Sequence, residues 1–252
     1  MDIIEIIIIA VAGFLSAVIK NGVGVGAGIF LLPVLSLVFP AKTALGLGGP
    51  IMLASDLIGM RYYWKEWVST KELLKILLPA VPGMLIGTWL IPVIPSNIFR
   101  SAVAIFGTSY ALMLLFPQWP PFMKFKSMFT QISPKNITFR AIFYGFFAGV
   151  ATVVAHAGGL VWSIYLMSTD IEKRKFVGTI VLLFAITNIY KTSAYVYLGL
   201  ISISTLMNLF LIFPIIFIGC YIGNMFNKRI DKILFRKIVL VTIFIVSACL
   251  FR

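Results

Sequence analysis

Two glycine-containing breaks, Gly22-Val23-Gly24-Val25-Gly26-Ala27-Gly28 and Ala155-His156-Ala157-Gly158-Gly159, decide how this chain folds. Each interrupts strongly apolar sequence. Each is also followed by a short apolar run, 28–39 in one case and 159–169 in the other. Such a run reaches only about 17–18 Å as a helix, at 1.5 Å per residue. That is roughly half of a hydrocarbon core about 30 Å thick.

The two breaks are related. A shift of 132 residues lays Gly13-Phe14 on Gly145-Phe146, Gly26 on Gly158, Gly46 on Gly178 and Ser55-Asp56 on Thr187-Asn188. The same shift brings Tyr63 to Tyr195, Pro82 to Pro214 and Gly87 to Gly219, with no gap from Gly13 to Gly87. Chance identities are common in apolar sequence, so the constant spacing of Gly and Pro carries the weight. The chain therefore divides into a first repeat, 1–116, a linker, 117–140, with Pro117, Pro120, Pro121 and Pro134, and a second repeat, 141–252.

Composition supplies the solvent. The 252 residues are 61% hydrophobic and 12% charged, with a mean hydropathy of +1.06. A soluble domain carries about twice that charge fraction and cannot hide so much apolar surface. The bilayer must solvate most of it. The apolar runs 3–19, 28–39, 44–60, 73–94, 98–116, 141–155, 159–169, 176–190, 203–226 and 233–251 predict an all-α polytopic membrane protein. The net charge of +13 sits in clusters between these runs, as in cytoplasmic loops, and not in a nucleic-acid-binding stripe. Cys220 and Cys249 lie within apolar runs and suggest neither a disulfide nor a metal site. The start carries only Asp2 and Glu5 as charges before Lys20, so no removable signal peptide is expected.

Positive charge marks the cytoplasmic side. The loop 61–72 and its flank carry Arg61, Lys65, Lys71 and Lys75, while the counterpart near 193–204 has no basic residue. Conversely, loop 40–43 has only Lys42, against Lys173, Arg174 and Lys175; loop 95–100 has only Arg100, against Lys228, Arg229, Lys232, Arg236 and Lys237. Equivalent loops thus fall on opposite sides. The expected architecture is two inverted-topology repeats, each a broken or re-entrant helical hairpin plus three transmembrane helices. The linker lies inside and both termini outside.

Interrupted helices in inverted repeats are typical of secondary transporters, whose sites lie where the breaks meet. Glycine clusters also permit close helix packing, but packing alone leaves the nearby polar residues unexplained. Lys20, Asn21, His156, Lys191 and the repeat-equivalent pair Asp56 and Asn188 stand in or beside apolar sequence, where polar groups are costly and functional by default. An anion site accounts for most of them. The short helices present positive dipole ends, the glycines Gly24, Gly26, Gly28, Gly158 and Gly159 let backbone approach the substrate, and Asn21 and Asn188 add donors. Lys20, Lys191 or His156 adds charge, and Asp56 and His156 are candidates for proton coupling. Plainer readings stand beside these: a Lys20–Asp56 structural ion pair, a His156 hydrogen bond to a carbonyl, Asn188 as interhelical glue, and Lys191 snorkelling at an outer boundary. Trp64, Trp67, Tyr62 and Tyr63 read as an interfacial aromatic belt.

The Gly-rich break followed by Pro33, the segment Ala155-His156-Ala157-Gly158-Gly159 with Tyr165-Leu166 after it, and Asn188-Ile189-Tyr190-Lys191 leading to Leu198-Gly199 resemble the TauE/SafE family. The resemblance covers almost the whole chain. It implies export of small sulfur-containing anions such as sulfite, sulfoacetate or other organosulfonates across a bacterial inner membrane. Two positions depart from it: Leu160 stands where the family often has proline, and Asp56 where a neutral polar residue is expected. The expected function is proton-coupled alternating-access export without a cofactor or metal; a passive anion channel or a carboxylate transporter is the alternative. No P-loop is present, and one histidine with two cysteines is poor material for an enzyme.

Overall fold

The structure is a computed structural model, which describes residues 3–23, 26–121, 123, 136–167, 169, 171–229 and 232–251. The described elements are helical. The first half holds α1 (Ile3–Val23), α2 (Ala27–Ser36), α3 (Ala41–Met60), α4 (Thr70–Val93) and α5 (Ser96–Leu115). The second holds α6 (Ile137–Ala155), α7 (Gly158–Met167), α8 (Lys173–Tyr197), the short α9 (Ile203–Leu209), α10 (Phe213–Arg229) and α11 (Lys232–Cys249). A single 3₁₀ turn, Phe210–Ile212, joins α9 to α10.

The shift of 132 residues carries over to the helices. It maps the end of α1 onto the end of α6, α3 onto the start of α8, and α2 onto α7 within one residue. The fourth helix differs. In the first half it runs unbroken through Pro79, Pro82 and Pro92, whereas in the second the 3₁₀ turn interrupts it just before Pro214. Both fourth helices open on a serine N-cap: Ser69 accepts from the Glu72 amide and Ser202 from the Thr205 amide. The Ser69 hydroxyl also donates to the Glu72 carboxylate at 3.3 Å. Helix α6 begins at Ile137, capped by Asn136, within the expected linker.

Among the described residues, seven stretches are long and apolar enough to cross a membrane, including α1, the whole fourth segment Ile203–Phe226, and α8 from Arg174. The helices α2 and α7, ten residues each, reach roughly 15 Å. Large apolar side chains such as Leu78, Leu85, Trp89, Phe217 and Tyr221 are exposed on the outer helices α4 and α10, the surface a bilayer covers.

Helix pairing follows the repeat. The first helix of each half packs on the fourth helix of the other: α1 on α10, and α6 on α4. The third helices, α3 and α8, pack on each other, as do the fifth, α5 and α11. The pairing is thus reciprocal between the halves. Glycine lets the backbones close at these seams. Gly145 and Gly149 of α6 meet the carbonyls of Ile76 and Ala80 on α4, while Gly219 and Gly223 of α10 meet those of Phe14 and Val18 on α1.

Direction is readable from the same contacts. Gly219 meets Phe14 and Ala17 while Gly223 meets Val18 and Asn21, so α1 and α10 are parallel. The third helices are antiparallel: Gly46 meets Leu200 and Ile201, Gly49 meets Tyr195, Asp56 meets Asn188, and Gly59 meets Val181.

Candidate functional site

The two breaks meet. Helix α6 closes on a C-terminal turn in which the Ala157 amide donates to the Ala151 carbonyl at 3.0 Å and the His156 amide to the Thr152 carbonyl at 3.2 Å. His156 is therefore left-handed, at φ 52° and ψ 25°. Glycine usually fills that position, and a side chain there costs about 1–3 kcal/mol. The side chain's hydrogen bonds offset the cost. Across from it, Gly26 is left-handed at φ 97° and starts α2. Gly28 then lies directly against the His156 backbone, with no room for a Cβ. The N-termini of α2 and α7 thus converge on one place.

His156 is buried and bonded at both ring nitrogens. Nε2 lies 3.0 Å from the Leu45 carbonyl oxygen and Nδ1 lies 2.8 Å from Lys191 Nζ. A carbonyl only accepts and an ammonium only donates, so the neutral tautomer with hydrogen on Nε2 satisfies both. The imidazole reaches α3 because Gly48 leaves its place open, and the Tyr195 ring fits against Gly49 for the same reason. Tyr195 stands edge-on to the imidazole, 6.0 Å between centroids, and its hydroxyl donates to the Val153 carbonyl at 2.6 Å.

The second cluster joins the halves directly. Lys20 forms an ion pair with Asp56, and Asn188 Nδ2 donates to the other Asp56 oxygen. Lys20 Nζ also sits 4.8 Å from the centroid of the Phe184 ring, within cation–π range. Asp56 is wholly buried, and Asn188 and Lys191 are each 1% exposed. A buried carboxylate is tolerable only with such partners.

A cavity of about 20 Å³ lies where these groups meet, lined by Lys20, Gly26, Gly28, His156, Gly159, Asn188 and Lys191, with Met52, Leu160 and Phe184. This is little more than one water needs, so a larger load enters only if the helices move. A second cavity, about 620 Å³, opens among Trp67, Glu72, Tyr165, Thr169, Glu172 and Lys175. Two acids against one lysine make it a poor anion site.

The expected site residues separate accordingly. Lys20, Gly26, Gly28, His156, Gly159, Asn188 and Lys191 come together at the smaller cavity. Gly158 stands one residue away, packed on Thr152. Asn21 turns elsewhere: its Nδ2 donates to the Ala17 carbonyl at 3.0 Å and approaches Ser55 Oγ at 3.5 Å. Gly24 lies outside the described residues. Lys191 does not snorkel at a boundary but is buried against His156. It sits on the face of α8 that packs on α3, one turn from Asn188, and its whole length is covered. The plainer readings of Lys20, as an ion pair, and of His156, as a donor to a carbonyl, describe contacts that exist.

Sequence reasoning passed over Gly48, Gly49 and Phe184. The pair Gly48-Gly49 was a usable signal, since adjacent glycines within a helix mark a close approach from a neighbour.

A family model described as "Sulfite exporter TauE/SafE" matches residues 9–250, nearly the whole chain. No curated protein and no solved structure matches it. The chain belongs to the TauE/SafE sulfite exporter family, and it is a multi-pass membrane protein.

Proposed function

We propose that this TauE/SafE member is a secondary transporter that exports a small sulfur-containing anion, sulfite or an organosulfonate, across a bacterial inner membrane by alternating access. The observation that carries this reading is the meeting of two short-helix N-termini, Lys20 and Lys191 at one buried cavity. Helix N-termini and ammonium groups favour an anion, and do so more strongly where water is excluded. Glycines at Gly26, Gly28 and Gly159 allow the approach of substrate to backbone that side chains would block.

Inverted topology fits this mechanism. The antiparallel packing of the repeat-equivalent α3 and α8 supports a two-fold axis perpendicular to those helices, hence in the membrane plane if they cross it. The asymmetry of loop charge points the same way, with both termini outside. One half rocking against the other would expose the cavity to each side in turn.

Proton coupling falls to Asp56. For an inward proton gradient to drive export, Asp56 would carry its proton on the anion-free inward swing and be deprotonated, paired with Lys20, while the anion sits beside Lys191 on the outward swing. His156 is the weaker candidate, because both its nitrogens are already engaged.

The test is counterflow of radiolabelled sulfite or a sulfonate in proteoliposomes, with and without an imposed proton gradient. Saturable flux that responds to the gradient and falls at least about tenfold in Lys191→Met supports the reading. Non-saturating, current-carrying flux indicates a passive channel instead. Exchange of carboxylates but not sulfonates would move the substrate class.

A further inference from the structure

We infer that the site is built to balance one net negative charge, and that Asp56 sets this valence. The inference rests on the anion reading of the same cavity and adds the charge of the load. Three charged side chains are buried among the described residues: Lys20, Asp56 and Lys191. His156 contributes none, since its two bonds define the neutral tautomer. The count is two lysines less one aspartate, or +1. The other described acids, Glu5, Glu66, Glu72 and Glu172, do not line the cavity.

The two lysines are not equivalent. Lys20 is committed to Asp56, so the pair adds almost no net field at the cavity. Among the described residues, Lys191 is held by a neutral ring nitrogen, and no acid forms an ion pair with it. It is the cation whose counter-charge is missing. In a buried site an unbalanced charge is costly, and a monoanion beside Lys191 removes the imbalance. A dianion creates a new one of opposite sign. A site without Asp56 would carry +2 and favour the dianion.

Valence can be separated from chemical class with ligands whose charge does not change near neutral pH. Purified full-length protein in detergent would be titrated with methanesulfonate and isethionate as monoanions, and with sulfate and sulfoacetate as dianions. The readout is the rise in unfolding temperature, since a ligand of the folded state stabilises by mass action. The expected result is apparent affinity at least about tenfold higher for the monoanions, with the order reversed in Asp56→Asn. Equal or tighter dianion binding by the wild type overturns the inference. So does an unchanged order in a folded Asp56→Asn variant. If that variant does not fold, Lys20→Met/Asp56→Asn removes the pair while leaving Lys191, and must keep the monoanion preference; a dianion preference there overturns it.

Acetate and malonate complete the design. If only carboxylates bind and acetate is preferred, the sulfur-anion reading fails and the valence stands. If sulfonates bind without regard to charge, the valence fails and the sulfur-anion reading stands. No response to any anion overturns both.

Discussion

The two halves share a helical plan but divide the chemistry unequally. At the shift of 132 residues, Lys20 corresponds to Thr152, Asp56 to Asn188, Gly59 to Lys191 and Gly28 to Leu160. The first half supplies the ion pair, and the second supplies the histidine, the amide and the second lysine. The backbone repeats because helix seams need small residues at fixed spacing. The polar groups do not repeat. The difference teaches that the shared helical frame brings the two breaks together, whereas the side chains that do not repeat line the cavity between them.

Substitutions that erase the asymmetry should sharpen it. The largest expected effect is Asp56→Ala, which strands Lys20 in a buried site and should cost about 3–5 kcal/mol of stability, read by equilibrium unfolding in detergent. The repeat-equivalent Asn188→Ala removes a neutral partner of the same carboxylate and should cost less, about 1.5–3 kcal/mol. Equal losses would mean that the charge at position 56 is energetically irrelevant.

Gly28→Ala should cost about 1–3 kcal/mol, because its Cβ would meet the His156 backbone and not a movable side chain. Its counterpart Leu160 already carries a side chain and is only partly buried. Leu160→Ala should fall below the cost of burial loss in a full core site, under about 2 kcal/mol. A neutral Gly28→Ala would break the claim that the halves meet through backbone at this point. The smallest effect belongs to Glu66→Gln, which removes the exposed ion pair to Arg174 at 2.9 Å. Such pairs are worth about 0–1 kcal/mol, so its unfolding curve should nearly overlay that of the wild type.

Much of the frame was legible in sequence. The breaks before α2 and α7, the long α3 and α8, and the repeat spacing all follow from runs of apolar residues and from Gly and Pro, which act on the local backbone. Local chemistry also marked Lys20, Asp56, His156, Asn188 and Lys191 as unusual in apolar surroundings. It offered the Lys20–Asp56 pair and a carbonyl partner for His156 among its readings, but not the contact of Lys191 with His156 nor the direction of Asn21. Asn21 is adjacent to Lys20 in sequence, yet one step along a helix turns a side chain about a quarter-circle. Lys20 thus meets Asp56 and Asn21 meets Ser55. Lys191 looked like a boundary residue because sequence position is a poor measure of depth for a side chain on an inward face.

The sequence by itself determined an all-helical membrane chain with a short helix after each glycine break, because apolar length and glycine spacing constrain the backbone wherever they occur. Only the tertiary structure decided that His156 binds Lys191 and Leu45, that Asp56 is shared between Lys20 and Asn188, and that Lys191 pairs with no acid among the described residues. Those outcomes depend on the antiparallel register of α3 against α8, which no local signal encodes: it is set by glycine seams between helices more than a hundred residues apart.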